Sequence, residues 1–457
     1  MTRLHAPSAL LADGWATDVT ITLDDAGLIA DVVIGAPPGD AARLAGPVLP
    51  GIANLHSHAF QRAMAGLTER RGPSGDDHFW TWRETMYRFL AVLTPSDVMT
   101  IATQLYISLL KGGFTSVAEF HYLQADTDGR PYADPGEMGA SIIAAAREAG
   151  IALTLLPSLY RQGGFGVPAN EGQRRFVLDD EALAGSINRF RAEARRDPLL
   201  RVGLAPHSLR AASLDDIARW VETIRSEDAT APIHIHAAEQ PREVSECLAA
   251  TGQRPVQLIL DRLPVDDRWC LIHATHLVPE EIAALAASGA VAGLCPTTEG
   301  NLGDGVFSLP AYLDAAGRFG IGTDSHVGVI AAEELRMLEA SQRLVTLRRA
   351  VAATPEQPSS GTFLWQNAAS AGALATGQPS GAIAPGRRAD LVVLDGAAPM
   401  LAGRAAALAV DTLVFAGGES LVRDVMVAGR WIVSDRHHPG EARAGAAFAA
   451  LMRRLLG

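Results

Sequence analysis

His56 and His58, in Leu49-Pro-Gly-Ile-Ala-Asn-Leu-His56-Ser-His58, have the spacing that turns two imidazoles to one side of an extended chain. Alternate residues of a strand share a face, so both rings can reach one ion while Ser57 looks away. Two ligands do not close a metal site. Three further residues end other apolar runs: His236 in His234-Ile-His-Ala-Ala-Glu239, His273 in Leu271-Ile-His-Ala-Thr-His276, and Asp324 in Ile321-Gly-Thr-Asp-Ser-His326. His56, His58, His236 and Asp324 together offer three nitrogens and one oxygen, a set suited to Zn2+ and acceptable to Fe2+ or Mn2+. A single ion is expected. Binuclear relatives of such sites use a bridging carboxylated lysine, and the only lysine, Lys111, falls in a helical segment before the second strand.

A divalent ion lowers the pKa of bound water, so hydroxide becomes available near neutral pH and hydrolysis follows. Glu239 stands three residues after His236. With a local twist at the strand end its carboxylate can sit beside that water as general acid and base; the alternative is a partner that orients His236. His273 can polarise a developing tetrahedral centre without binding metal, or it can be a core histidine.

The elements needed to position these residues are legible as eight short apolar runs: Val48 to His58, Thr115 to Tyr122, Ile151 to Tyr160, Arg201 to Leu209, Pro232 to Glu239, Trp269 to His276, Ala290 to Pro296 and Phe319 to His326. Helical stretches such as Asp215 to Ile224 and Pro279 to Ser288 separate them. Eight successive βα units predict an α/β fold closed as a TIM (β/α)8 barrel over 49–375, whose reactive groups stand at the C-terminal strand ends. The flanks carry Asp18-Val-Thr-Ile-Thr-Leu, Ala389-Asp-Leu-Val-Val-Leu and similar short strands. They predict a small β-sandwich domain built from both chain ends, 1–48 and 376–457. Gly163-Gly-Phe-Gly-Val-Pro168 and the polar stretch Thr68 to His78 read as active-site lids or plain surface loops, and the Ala-rich tail around Arg443 as an amphipathic helix.

Of the 457 residues, 48% are hydrophobic and 20% charged, the composition of a folded globular enzyme. The net charge of −12 argues against non-specific nucleic-acid binding and against a polybasic membrane patch. An anionic substrate would then need local arginines. Cys247, Cys270 and Cys295 have no paired spacing, which predicts a reducing compartment, the cytoplasm by default. No signal segment or membrane span is expected.

Taken together, the His56-Ser-His58 opening, the His236 and His273 strand ends, Thr323-Asp324 and Ile383-Ala-Pro-Gly-Arg-Arg-Ala-Asp-Leu-Val-Val-Leu resemble the amidohydrolase superfamily in its mononuclear deaminase branch. A narrower resemblance is to the formimidoylglutamate deiminases. It rests on Leu55-His-Ser-His-Ala-Phe-Gln61-Arg-Ala-Met-Ala-Gly, Phe79-Trp-Thr-Trp-Arg83-Glu, Ala118-Glu-Phe-His-Tyr122, Ala205-Pro-His207-Ser-Leu-Arg210 and His234-Ile-His-Ala-Ala-Glu-Gln240. That resemblance implies hydrolysis of N-formimino-L-glutamate to N-formyl-L-glutamate and ammonia, in histidine degradation. It implies metal binding by His56, His58, His236 and Asp324, proton transfer by Glu239, and substrate binding by Gln61, Arg83, Tyr122, His207 and Arg210. It further implies a homodimer. Arg83 and Arg210 suit a dicarboxylate, since each guanidinium can grip a carboxylate in bidentate fashion. The expected sequence has Asp324 accept the water's proton, His273 steady the centre and Glu239 protonate the departing nitrogen. Two rival readings stand beside it: a deaminase of the same superfamily acting on a guanine-like cyclic amidine, and a catalytically inactive barrel serving as an assembly protein.

Overall fold

The computed structural model describes residues 1–70 and 78–457. Nine strand segments form eight staves: β1 (Ile52–Ser57), β2 (Phe114–His121), β3 (Ala152–Leu159), β4 (Leu200–Val202) and β5 (Ala205–Pro206), which share one stave, β6 (Ile233–Ala237), β7 (Trp269–His273), β8 (Val291–Leu294) and β9 (Arg318–Ile321). Neighbours pair in parallel from β1 through β4 and β5 and again from β6 through β9. Parallel bridges Leu204↔Ile233 and Ser208↔His236 join the two halves, and Ser57↔Asp324 joins the last stave to the first. The circuit is closed. Its seam is held where Thr323 and Asp324 donate to the His56 carbonyl at 3.1 and 3.0 Å.

The intervening helices follow from local pattern. In Leu214–Glu227 the Ser213 hydroxyl accepts from Asp216 N, and Ile217, Trp220, Val221 and Ile224 recur at helical spacing and are buried. Helix Pro279–Ser288 opens on proline and ends where Gly289 takes φ +78°.

Two runs expected as single strands are interrupted. Val48 to His58 divides at Gly51: Val48–Pro50 belongs to a different sheet, and β1 begins at Ile52. A Cβ at residue 51 would lie 2.3 Å from Thr115 side-chain atoms, so only glycine lets the chain cross there. Arg201 to Leu209 divides at Gly203, where a Cβ would meet the Pro232 carbonyl oxygen at 2.3 Å.

The strands expected as a small sandwich form one continuous eight-stranded sheet. Its order runs Arg430–Val433, Val422–Val427, Leu391–Leu394, Val48–Pro50, Thr2–Leu11, Gly14–Leu23, Ile29–Ile34, with Ala42–Arg43 added beside Thr2–Leu11. Leu4, Val19, Ile21, Val48, Leu391, Val393 and Met426 make its buried core, so both chain ends contribute to one hydrophobic cluster. The Ala-rich tail is helix Glu441–Leu456, tied down by ion pairs Lys111–Glu441 (2.6 Å), Arg443–Glu148 (2.7 Å) and Arg454–Asp97 (2.5 Å). Among the described residues no helix is long and apolar enough to cross a membrane.

Candidate active site

The C-terminal ends of the staves carry an unusual share of backbone strain. Ala238, His273, Ala274, Asp324 and His326 all take positive φ, between +41 and +67°. Non-glycine residues there cost roughly 1–3 kcal/mol each and persist where the surrounding structure holds them. These left-handed residues rotate the last side chains off the strand alternation and toward one centre.

His56 Nε2 lies 3.3 Å from Asp324 Oδ1, His58 Nε2 lies 3.4 Å from the same oxygen, and His236 Nε2 is 3.1 Å from His56 Nε2. All four residues are buried. His58 Nδ1 donates to the Phe120 carbonyl and His236 Nδ1 to the His207 carbonyl, each at 2.9 Å. Burial pushes the pKa of His56, His58 and His236 down, so these rings are neutral. With Nδ1 committed, the Nε2 atoms of His58 and His236 turn lone pairs toward a nitrogen and a carboxylate. Acceptors crowded this closely repel one another unless a cation lies among them. The donor set therefore fits a divalent metal ion.

Glu239 follows the left-handed Ala238, the twist its position requires. The backbone N–H groups of Ala238 and Glu239 donate to the Glu243 carboxylate at 3.2 and 3.1 Å. The Glu239 carboxylate faces Arg210 Nη2 at 3.2 Å and His273 Nε2 at 3.7 Å. His236 takes its orientation from the His207 carbonyl instead, which leaves the Glu239 carboxylate turned to other partners. Burial alone lowers the His273 pKa, but Glu239, the hydrogen bond to Glu299 (3.3 Å) and Asp324 outweigh it and raise it to about 10. The His273 Nε2 has no hydrogen-bond acceptor among the described residues.

A pocket of about 50 Å³ adjoins this centre, lined by Gln61, Arg83, Tyr122, His207 and Arg210 together with His58, His236, Glu239 and Asp324. Every sequence-predicted substrate residue reaches it. Gln61 Nε2 donates to Tyr122 Oη at 3.0 Å, while its buried Oε1 has no partner among the described residues. Burial and the charges of Arg210 and Arg83 hold His207 neutral. Among the described residues Arg83 forms no ion pair; its Nη2 donates to Tyr160 Oη at 3.3 Å. Arg210 is already partnered, by Glu239 and, at 3.8 Å, by Glu243. The Gly163 to Pro168 segment is a short hairpin beside Trp80, Arg83 and Arg210. The Thr68 to His78 stretch lies mainly outside the described residues, which omit 71–77.

Several residues at the site carry weak sequence signals. Glu243 and Glu299 sit in the first turns of short helices, where an acid reads as ordinary macrodipole complement. Glu119 is buried and accepts from Ser57 Oγ (2.6 Å), Ala59 N (2.7 Å) and Tyr106 Oη (3.0 Å), bracing the turn that bears His58. Burial raises its pKa to about 7. Lys111 lies with Glu441, away from the four ligands.

The family model for the amidohydrolase family matches residues 48–432. That for the N-terminal domain of formimidoylglutamate deiminase HutF matches residues 1–45. A formimidoylglutamate deiminase of Pseudomonas aeruginosa is 50% identical over 459 aligned residues, with 100% of both chains covered. Among solved structures, an amidohydrolase from Brucella melitensis superposes with a TM-score of 0.94 at 44% identity, covering 100% of each chain. A zinc-bound adenosine deaminase from Xanthomonas campestris shares the fold, with a TM-score of 0.82 at 22% identity over 99% of this chain and 98% of that one.

Proposed function

From the premise that this chain belongs to the amidohydrolase family, we propose that it hydrolyses N-formimino-L-glutamate to N-formyl-L-glutamate and ammonia, a step of histidine degradation. The observation that carries this is the end-to-end identity of 50% with a formimidoylglutamate deiminase. The chemistry of the pocket supports it: two arginines beside the metal-ligand cluster suit a substrate with two carboxylates and an amidine.

His56, His58, His236 and Asp324 would hold one divalent ion, zinc by preference, with Fe2+ or Mn2+ compatible with the donors. When bound, such an ion supplies Lewis-acid activation of water near neutral pH. The chain's own groups do the rest. Arg83 grips a substrate carboxylate, and Arg210 can exchange part of its hold on Glu239 for the other. Gln61 Oε1, buried and without a partner among the described residues, is available to accept a substrate N–H, and Tyr122 and His207 wall the amidine in. As water adds to the formimino carbon, Asp324 takes its proton. His273, whose Nε2 has no hydrogen-bond partner among the described residues, donates toward the charge developing at the tetrahedral centre. Glu239 takes the hydroxyl proton as the tetrahedral centre formed from the amidinium substrate collapses and delivers it to the departing nitrogen, which leaves as ammonia as the C–N bond breaks and the carbon becomes a formyl group. Three buried free cysteines suit a reducing cytoplasm, and a homodimer is the proposed assembly.

Ammonia release from formiminoglutamate, measured beside guanine and formiminoaspartate, tests the reading. Rapid release from formiminoglutamate by the zinc-loaded protein, abolished in a Glu239→Gln variant that still holds zinc, is expected. Normal turnover by that metal-loaded variant would sink the role of Glu239, and release from guanine alone would sink the substrate.

A further inference from the structure

Trp80, in the first turn of helix Phe79–Leu90, has three guanidinium groups around its indole: Arg242 with Cζ 4.5 Å from the ring centroid, Arg83 at 5.6 Å and Arg210 at 5.9 Å. These four residues and the Gly163 to Val167 hairpin line an outer cavity of about 480 Å³. Arg83 and Arg210 also line the inner pocket, so the two spaces meet at that pair. The inner pocket, at about 50 Å³, is the smaller of the two, and a dicarboxylate entering by the outer space meets Arg242 beside the Arg83 and Arg210 pair. Three like charges crowd one indole ring in a protein of net charge −12. Two are offset by carboxylates: Arg210 by Glu239 and Glu243, and Arg242 by Glu246, whose Oε1 accepts from Arg242 Nε at 2.6 Å.

We propose that Arg242 is an outer anion subsite, which captures a carboxylate of the incoming dicarboxylate by exchanging it for Glu246 and passes the substrate to Arg83 and Arg210. This rests on the dicarboxylate reading above. Arg242 is well placed for a transient hold: its side chain is 61% exposed, against 9% for Arg210. It is also stacked on the indole that borders both inner arginines. Glu246, one helical turn away, acts as the resident stand-in for the substrate carboxylate.

The test compares Arg242→Gln and Glu246→Gln holoenzymes over a series of salt concentrations. For Arg242→Gln, KM for formiminoglutamate should rise about three- to tenfold with kcat within twofold, and kcat/KM should lose part of its dependence on ionic strength. Glu246→Gln should move KM and the salt dependence the opposite way, which a helix-stabilising salt bridge alone would not do. Calorimetric binding of glutarate, a dicarboxylate that carries no amidine, should weaken in Arg242→Gln. That measurement reads the subsite even if formiminoglutamate is not turned over, so failure of the substrate reading is separately visible. KM, salt dependence and glutarate binding all unchanged in Arg242→Gln would overturn the proposal, as would a fall in kcat and Tm with no change in KM.

Discussion

Glu243 shows how a residue remote from the reacting atoms can set their geometry. Its two oxygens accept the N–H groups of Ala238 and Glu239, and its charge faces Arg210, which in turn faces Glu239. Burial raises the Glu243 pKa while Arg210 opposes the rise. Glu243→Gln replaces one acceptor by a donor opposite an N–H, so Glu239 should lose its fixed position. Kcat should fall about 10–100-fold, the usual scale for such supporting groups, with zinc content unchanged by elemental analysis. A variant with wild-type kcat would show that the strand end holds Glu239 unaided. At this scale the sequence was informative wherever types and spacing repeat a chemical logic, in the His-x-His pair and in the histidine and aspartate ending apolar runs, while the arginines of the pocket came from the family resemblance. It was silent on Glu243 and Glu119, because an acid four residues downstream or inside a strand acquires meaning only when folding brings its partners to it.

Elements transmit these positions through close contacts that leave no room for side chains. A Cβ on Gly322 would stand 2.7 Å from His56 Cβ and 2.9 Å from its N and O. Gly322→Ala should push the segment bearing Asp324 away from the one bearing His56 and His58. Overpacking of this kind costs about 1–3 kcal/mol. Zinc affinity, measured by chelator competition, should drop at least about tenfold, and unchanged affinity would count against the contact. The terminal helix supplies a second case. Hydrogen bonds from His437 and Lys111 lower the Glu441 pKa from 4.5 to about 2. A carboxylate depressed in the fold adds stability above its unfolded value of 4.5, and that stability is lost as pH falls from 4.5 toward 2. Glu441→Gln should therefore melt roughly 1 °C below wild type at pH 6 and approach it near pH 2; a constant difference across that range would deny the ion pair its role. Helical segments and strand runs were readable from periodicity. The breaks at Gly51 and Gly203 were not, because both glycines answer to neighbours distant in sequence, Thr115 and Pro232.

Across the whole molecule, the metal ligands and the barrel's closure coincide. His56 and His58 lie at the end of the first stave and Asp324 follows the last, and these two meet through the Ser57↔Asp324 bridge, a few backbone hydrogen bonds and the side-chain bonds of Asn54 with Thr323 and of Ser57 with His326. His236 reaches them from the fifth stave. Eight βα units in sequence made the barrel legible, but not that its seam would be weakly bridged by backbone and crossed by ligands. Without a cation the seam also carries the repulsion of crowded acceptor atoms. Removing the ion should hence lower the stability of the closed barrel, not merely its activity. A ligand that binds only the folded state at about 1,000 times its Kd stabilises by about 4.1 kcal/mol. Dialysis against a chelator should depress Tm by several degrees, reversibly on adding zinc. Hydrogen exchange should quicken first in 56–58 and 322–326, while the sheet built from the two chain ends, part of whose buried residues form a cluster of their own, keeps its protection. Loosening spread evenly over both units, or none at the seam, would mean that backbone pairing closes the barrel by itself and that the ion serves the chemistry alone.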